Sequence, residues 1–165
     1  MSLVTATIPT PDGAFTATFT AGGLAALDFP AADVSQPKPL AADTPGAQCD
    51  WLETTRRALL AVLAGKKPNR LPPLDLTRGT PFQQAVWQAM TAIPAGETRT
   101  YGELARAIRR PRAVRAVGRA CGANPVPVLV PCHRVLAAGG RLGGFSAGLD
   151  WKRRLLAREG VMPRA

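Results

Sequence analysis

The segment Val130-Pro131-Cys132-His133-Arg134-Val135 sets the chain's only histidine beside one of its three cysteines, Cys49, Cys121 and Cys132. A thiol does its chemistry as the thiolate, and an imidazole is the side chain best suited to accept its proton near neutral pH. Taken alone the pair has a structural alternative, a buried Cys packed as a small hydrophobe beside a His that caps a turn. The run Val126–Val135 reads as an extended, apolar, β-branched segment. Neighbouring side chains of an extended chain point in opposite directions, so a relay from Cys132 to His133 through a bound water is the natural geometry. An imidazole base also needs an acceptor that fixes its tautomer. The acids late in the chain are Glu97, Glu103, Asp150 and Glu159. Glu97 falls in a turn, Glu103 in a capping box, and Asp150 at a helix start, where an acid suits the dipole. Glu159 falls at a helix end, where a negative charge is unfavourable and asks for another explanation. Elimination selects Glu159 as the third member. Such a Cys-His-Glu set equally suits a thiol hydrolase, which would turn over.

These residues need elements to position them. At 165 residues with 46% hydrophobic content, the chain is long enough for one good core, or a small domain tied to a larger one. A mean hydropathy of +0.01 fits an ordered globular protein. Val4–Ile8 and Ala14–Thr20 alternate around Pro11-Asp12-Gly13 and predict a hairpin, followed by a short strand over Leu24–Phe29. Residues 30–47 read as a loop, and Thr44-Pro45 as the N-cap and first residue of a helix to about Ala64. Gly65 closes that helix, and the Pro-rich stretch Lys66–Leu76 is a connector. The expected division is therefore 1–76, a small α/β domain of sheet plus helix, and 77–165, a mostly helical domain. In the second part Thr80-Pro81 starts a helix to about Ile93, and Thr100…Glu103 has capping-box spacing for a short helix to Ile108. A third helix follows over about Arg112–Ala123, which gives the pattern of a helix-turn-helix. Gly139–Gly148 is a glycine-rich loop, and Leu149–Glu159 a final helix.

Charge narrows the class. Residues 1–64 carry three basic and six acidic side chains, a balance of −3, whereas residues 65–165 carry eighteen and five, a balance of +13. That asymmetry is the footprint of a nucleic-acid-binding half. Arg112, Arg115 and Arg119 share one face of the third helix, with Val114, Val117 and Cys121 spaced to pack the other. Three scattered cysteines make neither a disulfide framework nor a zinc set, so no metal and no cofactor are expected, and Cys49 and Cys121 read as structural. The first residues lack a basic or apolar leader pattern and no run approaches a membrane span, so a cytoplasmic location without membrane partners is expected. A basic helix beside a soft thiolate nucleophile points to a damaged base in DNA. Reaching an atom inside a duplex requires extruding the nucleotide into a pocket, and Tyr101 and the loop Gly143–Gly148 are placed to line one.

The segment from Gly79 to Gly160 resembles the O6-alkylguanine-DNA alkyltransferases. The resemblance rests on Gly79-Thr80-Pro81-Phe82-Gln83, Val86-Trp87, Ile93-Pro94, Gly96-Glu97-Thr98, Tyr101 and Arg115-Ala116-Val117-Gly118. It continues through Asn124-Pro125-Val126, Val130–Val135, the Gly-Phe-Ser-Ala-Gly loop at 144–148, and Leu155–Gly160. It implies that Cys132 accepts an alkyl group irreversibly, with His133 as water-mediated base and Glu159 orienting it. It implies that Arg115 replaces a flipped guanine in the stack, on a helix that enters the minor groove of double-stranded DNA carrying O6-alkylguanine. Small Ala113, Ala116 and Gly118 would approach the sugar-phosphate walls, with Arg112 and Arg119 on phosphates. Tyr101 would sit by the flipped base. The Ser146 backbone N–H would meet the guanine oxygen, and the carbonyls of Cys132 and Val135 its exocyclic amine. Asn124 would brace the turn carrying Cys132.

The loop here reads Ser146-Ala147-Gly148, where the family usually has two glycines after the first residue, so the added methyl narrows the expected pocket. Cys49 alone cannot supply the N-terminal zinc site of some members. A monomer acting once per molecule is the expectation, with O4-alkylthymine as a further substrate left open. The rival readings are a non-catalytic protein that binds and flags alkyl lesions, and a cysteine hydrolase.

Overall fold

The computed structural model of the chain describes residues 3–31 and 46–164. Three antiparallel strands, β1 (Val4–Thr10), β2 (Gly13–Thr20) and β3 (Gly23–Asp28), form one sheet in sequence order. Pairing of Thr10 with Gly13 leaves Pro11-Asp12 as the hairpin turn. Alternation puts Ile8, Phe15, Ala17, Phe19 and Leu27 on the buried face, and helix α1 (Gly46–Leu63) lays Ala58, Leu59 and Val62 into the same core. The expected cap at Thr44-Pro45, and most of the expected 30–47 loop, lie outside the described residues. Gly65 ends α1 in the left-handed region (φ +71°), its N–H bonded to the Val62 carbonyl and that of Lys66 to the Ala61 carbonyl.

The connector is not a free tether. Leu24 donates its N–H to the Pro73 carbonyl (2.8 Å) and accepts from the Asp75 N–H (2.9 Å), so residues 73–75 run alongside β3. Leu27 in turn donates to the Pro125 carbonyl (2.9 Å), which joins the sheet to the segment leading into Cys132.

The rest is mostly helical. Helix α2 (Pro81–Thr91) opens with a capping box between Thr80 and Gln83 and buries Val86, Trp87 and Met90. Strand β4 (Arg99–Thr100) leads into α3 (Tyr101–Ala107), capped reciprocally by Thr100 and Glu103. Residues 108–113, with Arg109 at φ +59°, turn the chain into α4 (Val114–Gly122). Trp87 Nε1–H donates to the Ala120 carbonyl at 2.8 Å and locks α2 against α4. Two expectations change here. The helix starts at Val114, so Arg112 belongs to the preceding turn. Val114, expected on the packed face, is 39% exposed at the start of the helix, where Arg109–Arg112 before it are exposed as well; Val117, Ala120 and Cys121 form the buried stripe.

The run 126–135 is not extended. Pro125, Pro127 and Pro131 lack N–H donors and fix their φ angles, and the chain folds into successive turns. Val130 N–H bonds the Val126 carbonyl, Val128 is left-handed (φ +73°), and Cys132–Arg134 form one 3₁₀ turn. Strand β5 (Val135–Leu136) then pairs parallel with β4, and α5 (Leu149–Arg158) closes the fold. Its C-terminal end is wedged between two glycine turns, at Gly65 and Gly96. A β-carbon at Gly65 would stand 2.1 Å from the Arg158 carbonyl oxygen. Gly65→Ala therefore combines a left-handed alanine, costing about 1–3 kcal/mol, with a backbone clash. The urea midpoint should fall at unchanged slope by at least that equivalent; an unchanged midpoint would mean that the end of α5 is free to move.

Candidate active site

Cys132 opens the 3₁₀ turn and His133 follows it, 6% and 0% exposed respectively. Glu159, the C-cap of α5, reaches back so that its Oε1 lies 3.0 Å from His133 Nε2. The same carboxylate accepts from Arg134, at 2.9 Å from Nε to Oε2 and 2.8 Å from Nη2 to Oε1, and Arg134 Nη1–H also donates to the Ile93 carbonyl at 2.6 Å. One carboxylate thus holds both neighbours of the turn. Among the described residues His133 Nδ1 has no hydrogen-bond partner, although such buried polar atoms are normally satisfied.

The electrostatics follow from burial. Burial would raise the Glu159 carboxyl, but the hydrogen bonds and charges of His133 and Arg134 outweigh it and hold the group near 2. Burial lowers His133 below the ordinary imidazole value against the opposing pull of Glu159. Burial raises the Cys132 thiol, opposed by the Asn124 side chain and the Lys152 charge. The resting pair is therefore a neutral thiol and a neutral imidazole. With Glu159 ionised, the imidazole proton belongs on Nε2, which leaves the Nδ1 lone pair free to accept.

Asn124 braces the turn from behind, its Nδ2–H donating to the Val130 carbonyl (2.8 Å) and its Oδ1 accepting from Val126 N–H (3.0 Å). The Cys132 thiol faces a cavity of about 120 Å³ lined by Tyr101, Gly118, Cys121, Gly122, Gly144, Phe145 and Ser146. A β-carbon at Gly118 would come to 4.0 Å from the Tyr101 ring, so the wall is close there. Arg115, Ala116 and Arg119 are exposed on α4, Arg112 in the turn before it, and Ala113 is the helix N-cap. The Val135 carbonyl already accepts from Lys152 Nζ (2.7 Å) and the Cys132 carbonyl from the Val135 N–H. Each oxygen keeps one lone pair for a ligand donor.

Sequence reasoning missed Lys152, Arg134 and the placement of Cys121. Lys152 is fully buried, its pKa lowered to about 8 by burial, and it bridges the Val135 and Gly144 carbonyls (2.7 and 3.1 Å). The signal was present: Lys152 shares a helix stripe with Leu155 and Leu156, at i, i+3 and i+4, where a lysine on an apolar face has to find acceptors. Cys121 packs in the core as expected of a structural thiol but also borders the cavity.

Because the fold lowers the proton affinity of His133, the unfolded chain binds that proton more readily below the ordinary value of 6.5. With one histidine in the chain, stability measured by urea unfolding should fall as the pH drops from about 7 to about 5.5. A stability that rises over that interval would contradict the neutral buried imidazole.

The chain is similar to several known proteins. Residues 81–161 match the family model described as the DNA binding domain of 6-O-methylguanine DNA methyltransferase. A methylated-DNA–protein-cysteine methyltransferase of Methanosarcina mazei is 55% identical over 119 residues, covering 67% of this chain and 73% of that protein. One of the same description from Mycolicibacterium paratuberculosis is 49% identical over 115 residues, covering 66% and 69%. Among solved structures, Mycobacterium tuberculosis OGT in complex with DNA superposes with a TM-score of 0.71 at 41% identity, covering 93% of this chain and 90% of that one. The likeness thus extends over the N-terminal sheet as well as the helical part. This chain belongs to the O6-methylguanine-DNA methyltransferase family.

Proposed function

We propose that this protein repairs DNA by direct reversal of damage, moving the alkyl group of O6-alkylguanine onto Cys132. The observation that carries this reading is a buried thiol facing a small cavity, next to an imidazole whose Nδ1 is open and whose Nε2 is tied to Glu159. The mycobacterial OGT solved in complex with DNA, and the match to a DNA binding domain, support DNA as partner.

In this account His133 Nδ1 takes the Cys132 proton through one water molecule, and the imidazolium is stabilised by the ionised Glu159. The thiolate attacks the alkyl carbon in line, a C–S bond forms, the C–O6 bond breaks, and guanine leaves with the electron pair and then a proton. A thioether is stable in water, so each molecule acts once. Asn124 holds the turn. The Ser146 N–H meets the guanine oxygen, and the free lone pairs of the Cys132 and Val135 carbonyls meet its exocyclic amine. Tyr101 and Gly118 flank the base.

The lesion reaches the cavity by extrusion. α3 and α4 act as a helix-turn-helix whose second helix enters the minor groove, with Ala113, Ala116 and Gly118 permitting close approach and Arg115 filling the gap. Arg112 and Arg119 neutralise phosphates. The chain works as a cytoplasmic monomer, with the units 1–76 and 77–165 as its domains, and O4-alkylthymine fits the same chemistry. Among the described residues no helix is long and apolar enough to cross a membrane.

Cys132→Ser should bind lesion DNA and transfer nothing, since a hydroxyl is far harder to deprotonate than a thiol, while Cys49→Ala, at an exposed site, should transfer normally. Methyl found elsewhere than on residue 132 after mixing with O6-methylguanine DNA would remove Cys132 as acceptor. Repeated turnover would favour the hydrolase reading, and binding without transfer the lesion-flagging one.

Glu159→Gln should slow transfer by about a hundredfold or more with little change in DNA affinity. Arg134 then loses its buried counter-charge, so folding has to be measured alongside. A folded variant with an unchanged transfer rate would take Glu159 out of the mechanism. Arg115→Ala should slow repair in duplex DNA far more than transfer from a free O6-alkylguanine base. Flipping costs a few kcal/mol of stacking and pairing that a planar guanidinium partly recovers. Equal losses on duplex and free base would assign Arg115 to the pocket instead.

A further inference from the structure

Helix α4 brings a second thiol to the cavity. Cys121, on the last turn of α4 and 7% exposed, lines the same 120 Å³ space as Cys132, with Tyr101, Gly144 and Phe145 on the walls. The two groups are near enough that the charge of Cys132 acts on Cys121, and the charge of Lys152 acts on both. Burial, reinforced by Cys132, pushes the Cys121 thiol up to about 12. At rest it stays protonated and leaves the first alkyl transfer to Cys132. The ammonium of Lys152 favours ionisation of either thiol, before and after Cys132 has become a thioether.

We propose that the two thiols together form a capture site for two-carbon adducts that carry a second leaving group, the O6-(2-haloethyl)guanines. The inference rests on the reading of Cys132 as acceptor. In the first step the Cys132 thiolate takes the 2-haloethyl group, breaking the C–O6 bond and releasing guanine. The new thioether sulfur then displaces the halide from the neighbouring carbon, giving a three-membered episulfonium ring and a halide anion. Cys121 sulfur attacks one ring carbon, the C–S⁺ bond opens, and the Cys121 proton passes to water. Both sulfurs end as thioethers of one S–CH₂–CH₂–S bridge, with no oxidant or reductant consumed.

Proximity makes this route competitive. A thiol held on the wall of a small cavity meets the ring at an effective concentration that dilute external nucleophiles cannot match. The consequence is protective, because an episulfonium that escaped capture would alkylate the bound DNA and tie the protein to it. Methyl and ethyl adducts carry no second leaving group and would leave Cys121 as a free thiol.

The test compares two duplexes, one with O6-methylguanine and one with freshly prepared O6-(2-chloroethyl)guanine, each mixed in excess with the full-length protein. Intact mass is read together with the thiols that titrate after denaturation, three in the untreated chain. The methyl duplex should add CH₂ and leave two thiols. The chloroethyl duplex should add C₂H₂ and leave one, that of Cys49, with a digest showing the Cys121 and Cys132 peptides joined. In Cys121→Ser the gain should sit on Cys132 alone, as an open-chain haloethyl or hydroxyethyl group or as a link from Cys132 to the DNA. Methyl transfer together with two thiols left by the chloroethyl duplex, or a covalent protein–DNA product of the native chain, would overturn the inference and leave the acceptor role standing. Failure to gain methyl would overturn both. A joined product that persists in Cys121→Ser would assign the second bond elsewhere and overturn the inference.

Discussion

The carboxylate of Glu159 is the interaction on which the site depends. A negative group at the C-terminus of α5 opposes the helix dipole, and burial of its side chain to 2% exposure costs desolvation. Both costs are offset because the carboxylate meets His133 and Arg134, consecutive residues of one 3₁₀ turn. Through the first contact it fixes which imidazole nitrogen carries the proton. Through the second it anchors the turn to the end of α2, since Arg134 also bonds the Ile93 carbonyl. The thiol is positioned with them: Cys132 opens the same turn, its N–H bonded to the Val130 carbonyl that Asn124 also holds. Two glycine turns close on the helix end: Gly65 leaves room for the Arg158 carbonyl, and Gly96 takes the left-handed conformation (φ +83°) beside Glu159.

The N-terminal sheet takes part in the site indirectly. Phe29, just past β3, packs edge-on to Phe145 (ring centroids 5.8 Å apart) and against Trp151 (4.9 Å), while Phe15 meets Trp151 at 5.8 Å. Phe145 belongs to the cavity loop and Trp151 precedes Lys152, whose ammonium bridges Val135 and Gly144. At the hairpin, Asp12 accepts from Arg154 and Arg158 of α5, and those arginines hold its carboxyl below the ordinary range despite burial. The sheet therefore braces the outer side of α5 and of the loop whose Gly144, Phe145 and Ser146 line the cavity. The core is one continuous cluster running from Ile8 to Leu155, and the two parts of the chain share it.

Much of this was legible in the residues. The alternation of β1 and β2, the Thr-Pro and Thr-x-x-Glu starts of α2 and α3, and the glycine stop at Gly65 each encode a local structure with a local cause. The small sheet-plus-helix part followed by a mostly helical part emerges from them directly. Glu159 stood out because its position conflicts with the dipole. What stayed hidden was non-local or depended on proline. Three prolines within seven residues turn an apolar run that reads as a strand into consecutive tight turns, which moves Cys132 and His133 from opposite faces of a strand onto one 3₁₀ turn. Val114 fits the buried period of α4 yet is its first residue, where the chain before it is exposed over Arg109–Arg112. The connector pairs with β3 through backbone atoms, which side-chain patterns do not report. Lys152 needed the positions of the two carbonyls it joins, one from β5 and one from the loop.

The central claim is that the resting imidazole is neutral, carries its proton on Nε2, and presents Nδ1 to the thiol. The single histidine in the chain makes it open to direct measurement by ¹⁵N imidazole NMR of the unreacted protein across pH. The account predicts a protonated Nε2, an unprotonated acceptor Nδ1, and a titration displaced below the ordinary value of 6.5. A proton on Nδ1, or a titration at or above that value, would contradict it.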